Sequence, residues 1–536
     1  MKLLKILTLL VTFCVLFSSC EKESLTLTDV SEKPRMTKLG KKLKNPFSVA
    51  NMQQAYNNLL EKNADARVKD LEIRPTHLYV RYLPPTQALY DSLVNDSTLY
   101  LEDYPLDYEV IEQGEYYHDP SIPEGLPTYQ YTSVPIDYVP PTGIAFEVLD
   151  ELYLPKEDTT LEDESGRLSQ DVEEWVDMLE YESLLLTDNL SEEEKIETEN
   201  GRIKGLLPSK YHPNGIVRYV DTRVGVIYLE GVKIRTRRFF EFHEAITDAS
   251  GNFWEEGTYR YKFHYKIIWE RADFDIRSGT FGQANLDGPE CKCRWDVPIM
   301  NGVQQFYASI FRGAHRYFYG NIDGLRRPKM LTKMKISAYD KNGDKNGDNW
   351  GDWDNSGIFP DIRIWRFVDN RERGTDEIFS TTIHEIAHTT HIQLMNGGWV
   401  QFLQVSDKII ESWAVAVQWR ITSMEYREKG IANYGGPFFT LPNLGRLQFS
   451  FQNWNSAMTD AYPYTSLFID IVDNHNQVGR FNGSAITDNV QGYTLANIES
   501  GFLKHVYGFS SLREKLKDNK PFGVTDAQID ELLNQF

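Results

Sequence analysis

Apolar and polar residues alternate between about residues 211 and 285, which is the pattern of half-buried β-strands. The clearest runs are Ile216–Val220, Val224–Leu229 and Val232–Arg237. A turn at Thr247–Phe253, with Gly251 where the chain reverses, separates them from another strand-like run at 261–269. We therefore expect a β-sandwich domain over residues 211–290.

Beyond residue 295 the apolar spacing becomes helical, with repeats of three and four residues. Helices are predicted at Val303–Tyr319, from an N-cap at Asp376 to about Asn396, and from an N-cap at Ser406 or Asp407 to about Lys429. Strands are predicted at Lys333–Tyr339 and Asp361–Phe367. This mixture predicts an α+β catalytic or binding domain over residues 295–536.

The segment from 46 to 210 is rich in Pro and Tyr and gives mixed signals. A short strand is predicted at Leu78–Tyr82, and helical spacing of apolar residues predicts a helix over Gln170–Leu186. We assign this segment as an N-terminal α+β region of unknown role. Because 536 residues exceed what one core supports, the whole chain is expected to be an α+β multidomain protein.

The start of the chain has the features of an export signal. Lys2 and Lys5 precede a short apolar run at Ile6–Phe17, which is too short to span a bilayer. The following Ser-Ser-Cys resembles a bacterial lipobox, which implies a lipoprotein signal peptide over 1–20 and a lipid anchor on Cys20. An ordinary signal peptide is the alternative. Residues 21–45 then form a tether, and no later segment has the apolar length of a membrane span.

A formal net charge of −21 further limits the expected partners. An acidic surface repels phosphate backbones, so we expect no nucleic acid partner. We expect instead a cell-envelope protein that contacts the membrane through its lipid, with the outer membrane favoured by Glu21 after the anchor. Cys291 and Cys293 are either free thiols or one strained bridge, and we assign them no chemistry.

A His-Glu-x-x-His sequence, His384 to His388, lies inside the second of the three predicted C-terminal helices. Residues four apart share one helical face, so both imidazoles can reach one ion. Glu385 is rotated by about 100° from His384, which places it beside such an ion. The spacing predicts His384 and His388 as metal ligands and Glu385 as the catalytic base; the alternative is a buried structural pair of histidines.

The third ligand decides between classes of metal site. His391 lies on the same face as the other histidines, but His384 and His391 would be about 10.5 Å apart along a helix. That separation is too long for one zinc ion, so we interpret His391 as a packed or supporting residue. Metzincins are excluded, because His391 and Leu394 stand where that class has glycine and histidine.

Glu411 is the preferred third ligand. It lies in a strongly apolar run, Ile409–Val417, where a carboxylate is costly to bury unless it is paired or bound to a metal. The Gly397-Gly398 break and a new helix start allow this helix to pack against the first. A salt-bridged glutamate is the alternative.

A His-Glu-x-x-His helix followed by a glutamate on the next helix resembles the gluzincin, or thermolysin-like, zinc metallopeptidases over residues 300–475. The resemblance implies a zincin-like fold, Zn²⁺ as cofactor, and hydrolysis of peptide bonds in a protein or peptide substrate. It also implies that the strand at 361–366 borders the substrate, although an ordinary core strand fits equally. A tyrosine that steadies the oxyanion is implied as well, with Tyr464 the first candidate and Tyr462 the second.

Two further patterns add weaker expectations. The strands before Thr247–Phe253, with the sequence Thr-Asp-x-x-Gly-x-Phe, resemble carboxypeptidase regulatory-like β-sandwich domains, which implies packing beside a peptidase without catalysis. The loop from Asp340 to Asp354 alternates Asp and Asn, which are oxygen ligands suited to structural Ca²⁺. That loop does not match an EF-hand, and a solvated turn-rich loop is the alternative.

These expectations lead to one main function and two alternatives. The main one is a lipid-anchored zinc metallopeptidase. The first alternative is a non-catalytic envelope binding or assembly lipoprotein that retains a zincin fold. The second is a glycan-binding surface lipoprotein, which would hold no stoichiometric zinc.

Overall fold

The structure of the protein is a computed structural model. It describes residues 35–61, 71–123, 125–162, 166–203, 207–279, 282–330, 332–345, 347–349, 361–395, 398–436, 463–476 and 486–536. Within these ranges the chain is mixed α+β, with twelve α-helices and five sheets, so that level of the predicted fold class is confirmed. The proposed anchor Cys20 and the candidate Tyr462 lie outside the described residues. No helix in the described ranges is both long and apolar enough to cross a membrane.

The N-terminal part, up to residue 203, contains two small sheets and four helices among its described residues. Its elements are β1 (Lys38–Lys42), α1 (Val49–Glu61), β2 (His77–Leu83), α2 (Gln87–Val94), β3 (Tyr108–Glu112), β4 (Gln130–Pro135), β5 (Ala145–Leu152), α3 (Gln170–Leu186) and α4 (Glu192–Ile203). β2 is the centre of the antiparallel sheet β4-β2-β5, and β1 pairs with β3. Tyr56 of α1 packs edge-on against Trp175 of α3, with 6.0 Å between ring centroids. The helix predicted from apolar spacing at 170–186 has the bounds of α3.

The middle part is almost entirely β-structure. Its strands are β6 (Asn214–Asp221), β7 (Gly225–Tyr228), β8 (Lys233–Arg238), β9 (Glu241–Ile246), β10 (Asn252–Trp254), β11 (Phe263–Ile268), β12 (Phe274–Ser278), β13 (Asn285–Cys291) and β14 (Trp295–Ile299). β6 pairs with β7, β10 and β14, while β13-β11-β8-β9 form a second sheet. The two sheets share an apolar core in which Phe253 and Tyr265 lie 6.0 Å apart. A disulfide joins Cys291 to Cys293 at the end of β13.

The C-terminal part packs helices on a sheet that β12 begins. Its elements are α5 (Gly302–Tyr319), β15 (Met334–Gly343), β16 (Gly347–Asn349), β17 (Ile362–Val368), β18 (Arg371–Glu372), α6 (Thr375–Leu394), α7 (Trp399–Phe402), α8 (Asp407–Glu428), α9 (Leu467–Asp470), α10 (Leu495–Gly501), α11 (Phe509–Asp518) and α12 (Asp526–Leu533). β12, β15 and β17 are parallel, and β16 and β18 pair with β17 in the opposite direction.

The strand predicted at 361–366 is interior, because β15 covers one side of β17 while β16 and β18 cover the other. The structure therefore agrees with the second interpretation, an ordinary core strand, and not with an edge strand that borders the substrate. Among the described strands, β16 forms one edge of the sheet, where Gly347 stands opposite Ile364 and Asn349 opposite Ile362. This edge strand could not be recognised from three residues of sequence.

Close packing of α5 against α6 depends on Gly313. A Cβ at this position would lie 2.8 Å from Cβ of Thr382 and 2.9 Å from the carbonyl oxygen of Phe379. The absence of a side chain lets the two helices approach each other along their middle turns. One turn further along, the hydroxyl of Tyr317 lies 3.2 Å from that of Thr390. α6 is thereby held firmly against the core.

The start of α6 differs from the prediction. Gly374, and not Asp376, is the N-cap, and its N–H donates to the Glu377 carboxylate at 2.6 Å. The Asp376 carboxylate is instead used in tertiary contacts, accepting from Arg223 at 2.9 Å and from the Tyr434 hydroxyl at 3.0 Å. Local sequence favours Asp376 as a cap, but two distant partners engage its side chain.

Candidate metal centre

Helices α6 and α8 pack side by side and run in opposite directions. Early in α8, Glu411 contacts His388 and His384, and two turns later Gln418 contacts His384. Tyr426, near the end of α8, packs against Phe379, near the start of α6, at 5.9 Å between ring centroids. The glutamate helix predicted to pack against the histidine helix therefore does so.

Three side chains from these two helices converge on one point. Nε2 of His384 lies 3.1 Å from Nε2 of His388 and 3.1 Å from Oε2 of Glu411. Nε2 of His388 lies 3.5 Å from the same Glu411 oxygen. Ligand atoms about 2.0–2.1 Å from a tetrahedral ion are separated by about 3.3–3.4 Å, so the observed spacing suits such an ion. The His-His-Glu group could hold a metal ion.

Gln418 sets the protonation of His384. Its Nε2 donates to the hydroxyl oxygen of Ser380 at 2.8 Å, which leaves its Oε1 as an acceptor 3.1 Å from Nδ1 of His384. His384, by this hydrogen-bond assignment, carries its proton on Nδ1 and presents a lone pair at Nε2. This lone pair, which faces the Glu411 carboxylate and the His388 imidazole, is available to bind a metal ion.

The charge on Glu411 also suits a cation. Burial alone would raise the pKa of its carboxyl, but this is outweighed by the adjacent His388 and His384 imidazoles, which hold the pKa well below its ordinary value. The side chain of Glu411 is still 21% exposed, against 9% for His384 and 10% for His388. Water and other molecules can therefore reach the group from the Glu411 side.

Glu385 is buried on the neighbouring face of α6, and the edge strand β16 lies directly against it. A Cβ built on Gly347 would be 2.5 Å from Oε1 of Glu385 and 2.6 Å from Cγ2 of Thr381. The carboxylate of Glu385 thus occupies the space that any side chain at residue 347 would need. β16 and the Glu385 carboxylate are in contact because residue 347 is glycine.

A buried guanidinium stands behind this carboxylate. Arg373 donates to the carbonyl oxygen of Trp365 at 2.8 Å and to the hydroxyl of Thr381, one turn before Glu385. Burial lowers the pKa of Arg373 to about 10, and the negative charges of Glu377 and Glu385 oppose that shift. Arg373 therefore places a positive charge near Glu385.

The remaining predicted residues take different places. The exposed Tyr464 ring lies 6.0 Å from that of His384, so this oxyanion candidate is beside the group. His391 is not part of it, because its ring is packed between Phe402 and Trp413 at 5.1 and 6.5 Å. Burial lowers the pKa of His391 to about 3.

The loop predicted to bind calcium is only partly described. The Asp340 carboxylate accepts from Arg366 at 2.8 Å, and Asn342 Oδ1 accepts from the Asn370 N–H at 2.8 Å. Asp352 and Asp354 lie outside the described residues. Among the described residues, no second group of three His, Cys, Asp or Glu ligands converges. Calcium in this loop stays a prediction.

Three residues of the site were not found from the sequence, namely Gln418, Ser380 and Gly347. A signal existed for the first two. Gln418 follows Glu411 by two helical turns and Ser380 precedes His384 by one, so each shares a face with a ligand. No local signal marks Gly347, which reaches Glu385 only because β16 folds back along β17.

We expect Gln418→Leu to weaken Zn²⁺ binding by about 10- to 100-fold, because Nδ1 of His384 loses the acceptor that orients its ring. Gln418→Glu keeps an acceptor oxygen and should bind Zn²⁺ at least as tightly as the parent. Competition with a chromophoric chelator measures both affinities, and circular dichroism verifies that each variant is folded. Equal affinity in the parent and the leucine variant would rule out this role for Gln418.

Comparison with known proteins identifies no relative. No protein-family profile matches the chain. Searches of curated proteins and of solved structures also gave no match. The function is therefore inferred from the chemistry of the site.

Proposed function

We propose that the protein is a zinc metallopeptidase of the gluzincin type, with a zincin-like catalytic domain, that hydrolyses peptide bonds at the cell envelope. The observation that carries this proposal is the convergence of His384, His388 and Glu411, with Glu385 next to the first ligand. Two imidazoles and one carboxylate with solvent access are the ligand set of catalytic zinc sites. The proposed site residues are thus His384, His388 and Glu411 for the metal and Glu385 for catalysis.

The donor set favours zinc over other common ions. Mg²⁺ and Ca²⁺ prefer six or more oxygen ligands, whereas this group offers two nitrogens and one carboxylate. A zinc ion held there would lower the pKa of a water molecule and polarise a substrate carbonyl.

The proposed chemistry of the chain itself centres on Glu385. Its carboxylate accepts a proton from the attacking water as the water oxygen bonds to the peptide carbon. The same carboxyl then returns that proton to the amine nitrogen as the C–N bond breaks. Arg373 lies near this carboxylate and places a positive charge beside it.

Strand β16 offers a place for an extended substrate. It is antiparallel to β17, and within the described residues no strand pairs with its outer edge. An extended peptide could add to this edge through backbone hydrogen bonds. Contact between Gly347 and Glu385 would bring that peptide to the catalytic carboxylate.

Location and anchoring belong to the same proposal. The features of residues 1–20 support export and acylation of Cys20, which would hold the protein at the envelope by its lipid. Proteinase K accessibility on intact cells tests the location of the protein. Fractionation of a Cys20→Ala variant, compared with the parent, tests the anchoring. Release of the alanine variant into the soluble fraction is the expected result.

Metal analysis combined with peptide digestion tests the main proposal. We expect one zinc per purified chain, cleavage of a mixed peptide library, and loss of cleavage after 1,10-phenanthroline that added Zn²⁺ reverses. Stoichiometric zinc without any cleavage would favour the envelope binding or assembly protein instead. Absence of zinc in protein purified without chelators would favour the second alternative and contradict the metal site.

We expect Gly347→Ala to lower peptide cleavage by about 100-fold with zinc still bound. The added methyl group would overlap Oε1 of Glu385, and a displacement of about 1 Å has an effect of this size. Gly501→Ala is the matched control, because a Cβ there meets no atom within 4 Å. Initial rates on a fluorogenic peptide and zinc content measure the effect; unchanged rates in Gly347→Ala would show that β16 does not constrain Glu385.

A further inference from the structure

A cavity of about 950 Å³ is lined by residues outside α6 and α8. One wall is α2 and the loops between residues 94 and 130 of the N-terminal part. The other wall is a face of the sheet β13-β11-β8-β9. Ile234 and Ile267 of this sheet point into the apolar core, whereas Arg235 and Lys266, one residue along, line the cavity. None of the His-His-Glu residues contributes to its lining.

The charges in this cavity balance. Five acidic and five basic side chains line it: Asp96, Glu102, Asp103, Glu244, Glu270, Lys233, Arg235, Lys266, Arg271 and Lys333. Most of them form ion pairs across the sheet. Glu270 accepts from Lys233 at 2.7 Å and from Lys333 at 2.8 Å. Glu244 accepts from Arg235 at 2.8 Å, and Lys266 donates to Glu102.

This pairing argues against a charged ligand. Although burial would raise the pKa of Glu270, the two lysines lower it to about 2, so this carboxylate is ionised and paired near neutral pH. An anionic ligand would have to compete with Glu270 for those lysines. A cationic ligand would have to compete with the lysines for Glu270. A paired carboxylate still has lone pairs that can accept from a hydroxyl group.

The uncharged residues that line the cavity supply amide groups and aromatic rings. Side-chain amides come from Gln87, Asn95, Gln130, Gln283 and Asn285, and phenol rings from Tyr90, Tyr100, Tyr116 and Tyr117. Gln87 is only 3% exposed, and its Oε1 has no hydrogen-bond partner among the described residues, while its Nε2 donates to Asp91. That oxygen is itself shielded from solvent, so the other polar groups of the lining would meet a ligand.

Tyr100 is held as a fixed aromatic wall. One neighbour, Phe242, stacks on it with 5.3 Å between centroids and 7° between ring planes, and the Arg235 guanidinium lies 5.4 Å from its centroid. Its ring is still 38% exposed. A rigid phenol loses little conformational entropy when a ligand packs against it, and it offers both an apolar surface and a hydroxyl.

We infer that this cavity binds a neutral polyhydroxylated ligand, a short oligosaccharide of two or three sugar units. Sugar hydroxyls donate and accept, so they suit amides and paired carboxylates, and the C–H faces of the rings suit phenol side chains. The volume lies within the range of about 300–1,000 Å³ of ligand sites. This site is independent of the proposed peptidase activity, and either can fail without the other.

Calorimetric titration of the full chain tests this inference. The probes are maltotriose, cellotriose, mannotriose and N,N′,N″-triacetylchitotriose, with trigalacturonate as the charged comparison. We expect saturable one-to-one binding of at least one neutral trisaccharide, with an affinity that changes less than twofold between 50 and 500 mM NaCl. Binding of none of the neutral probes, or tighter binding of trigalacturonate, would overturn the inference.

Variants of Tyr100 locate the binding. We expect Tyr100→Ala to weaken binding at least tenfold, and Tyr100→Phe, which keeps the ring, to stay within threefold of the parent. Trp254→Ala is the matched control, because Trp254 is 61% exposed on the other sheet, stacked on His212. Equal binding by Tyr100→Ala and the parent, or loss of binding in Trp254→Ala alone, would place the ligand elsewhere and overturn the inference. Peptide cleavage should be unchanged in all three variants.

Discussion

Glu385→Gln is expected to slow peptide cleavage by about 100- to 10,000-fold while zinc stays bound, because an amide cannot accept the proton of the attacking water. The two side chains have nearly the same size, so the contact with Gly347 and the packing of α6 should persist. Glu385 is not one of the three converging ligands, so the variant should keep the ligand set of the parent. Initial rates on a fluorogenic peptide and zinc content per chain measure the two effects separately.

The control for this substitution is Glu428→Gln on the outer part of α8. Glu428 pairs with Arg316 at 2.7 Å at the surface, so its loss removes a carboxylate without touching the site. Rates within twofold of the parent are expected. If Glu385→Gln with full zinc cleaved at more than a tenth of the parental rate, another group would have to be the base.

Helical parts of the site could be predicted from the sequence because their signals are local. His384, Glu385 and His388 are fixed relative to each other by one helical turn, and α8 begins after Ser406, one of the two residues predicted as its cap. Glu411 was predicted from the cost of burying a carboxylate among apolar neighbours, and it contacts both histidines. These inferences needed no knowledge of which strands pair.

Sheet-dependent parts of the site could not be predicted in this way. The contact between Gly347 and Glu385 depends on β16 returning along β17, and strand pairing joins residues that no local pattern relates. β12 likewise leaves the mainly β middle part and pairs with β15, after 55 intervening residues between Ser278 and Met334. The Asp376 cap was wrong for the same reason, since its carboxylate binds Arg223, 153 positions earlier.

A buried ion network lies behind α6 and α8, the helices that carry the His-His-Glu group, and we expect its loss to lower the stability of the protein strongly. Arg312 of α5 donates to Asp221 at 2.8 Å and to Glu425 of α8 at 2.9 Å. Its guanidinium also lies 5.2 Å from the ring of Phe379 in α6 and 5.8 Å from that of Tyr426. One side chain therefore links the end of β6 to three helices, two of which supply the proposed zinc ligands.

We expect Arg312→Met to lower the free energy of unfolding by about 3–5 kcal/mol, because it leaves two buried carboxylates without their shared cation. Methionine keeps the apolar stem of the side chain, so the lost stability reflects removal of the positive charge more than a change of side-chain volume. Urea denaturation followed by tryptophan fluorescence measures it, with Arg294→Met as control, since the exposed Arg294–Asp296 pair should contribute less than about 1 kcal/mol. Without Arg312, the buried Glu425 carboxylate keeps only Arg316 as a cationic partner, at 3.1 Å. Adding Glu425→Gln to Arg312→Met should therefore recover part of the lost stability. A double variant no more stable than the single one would mean that Arg316 alone satisfies Glu425.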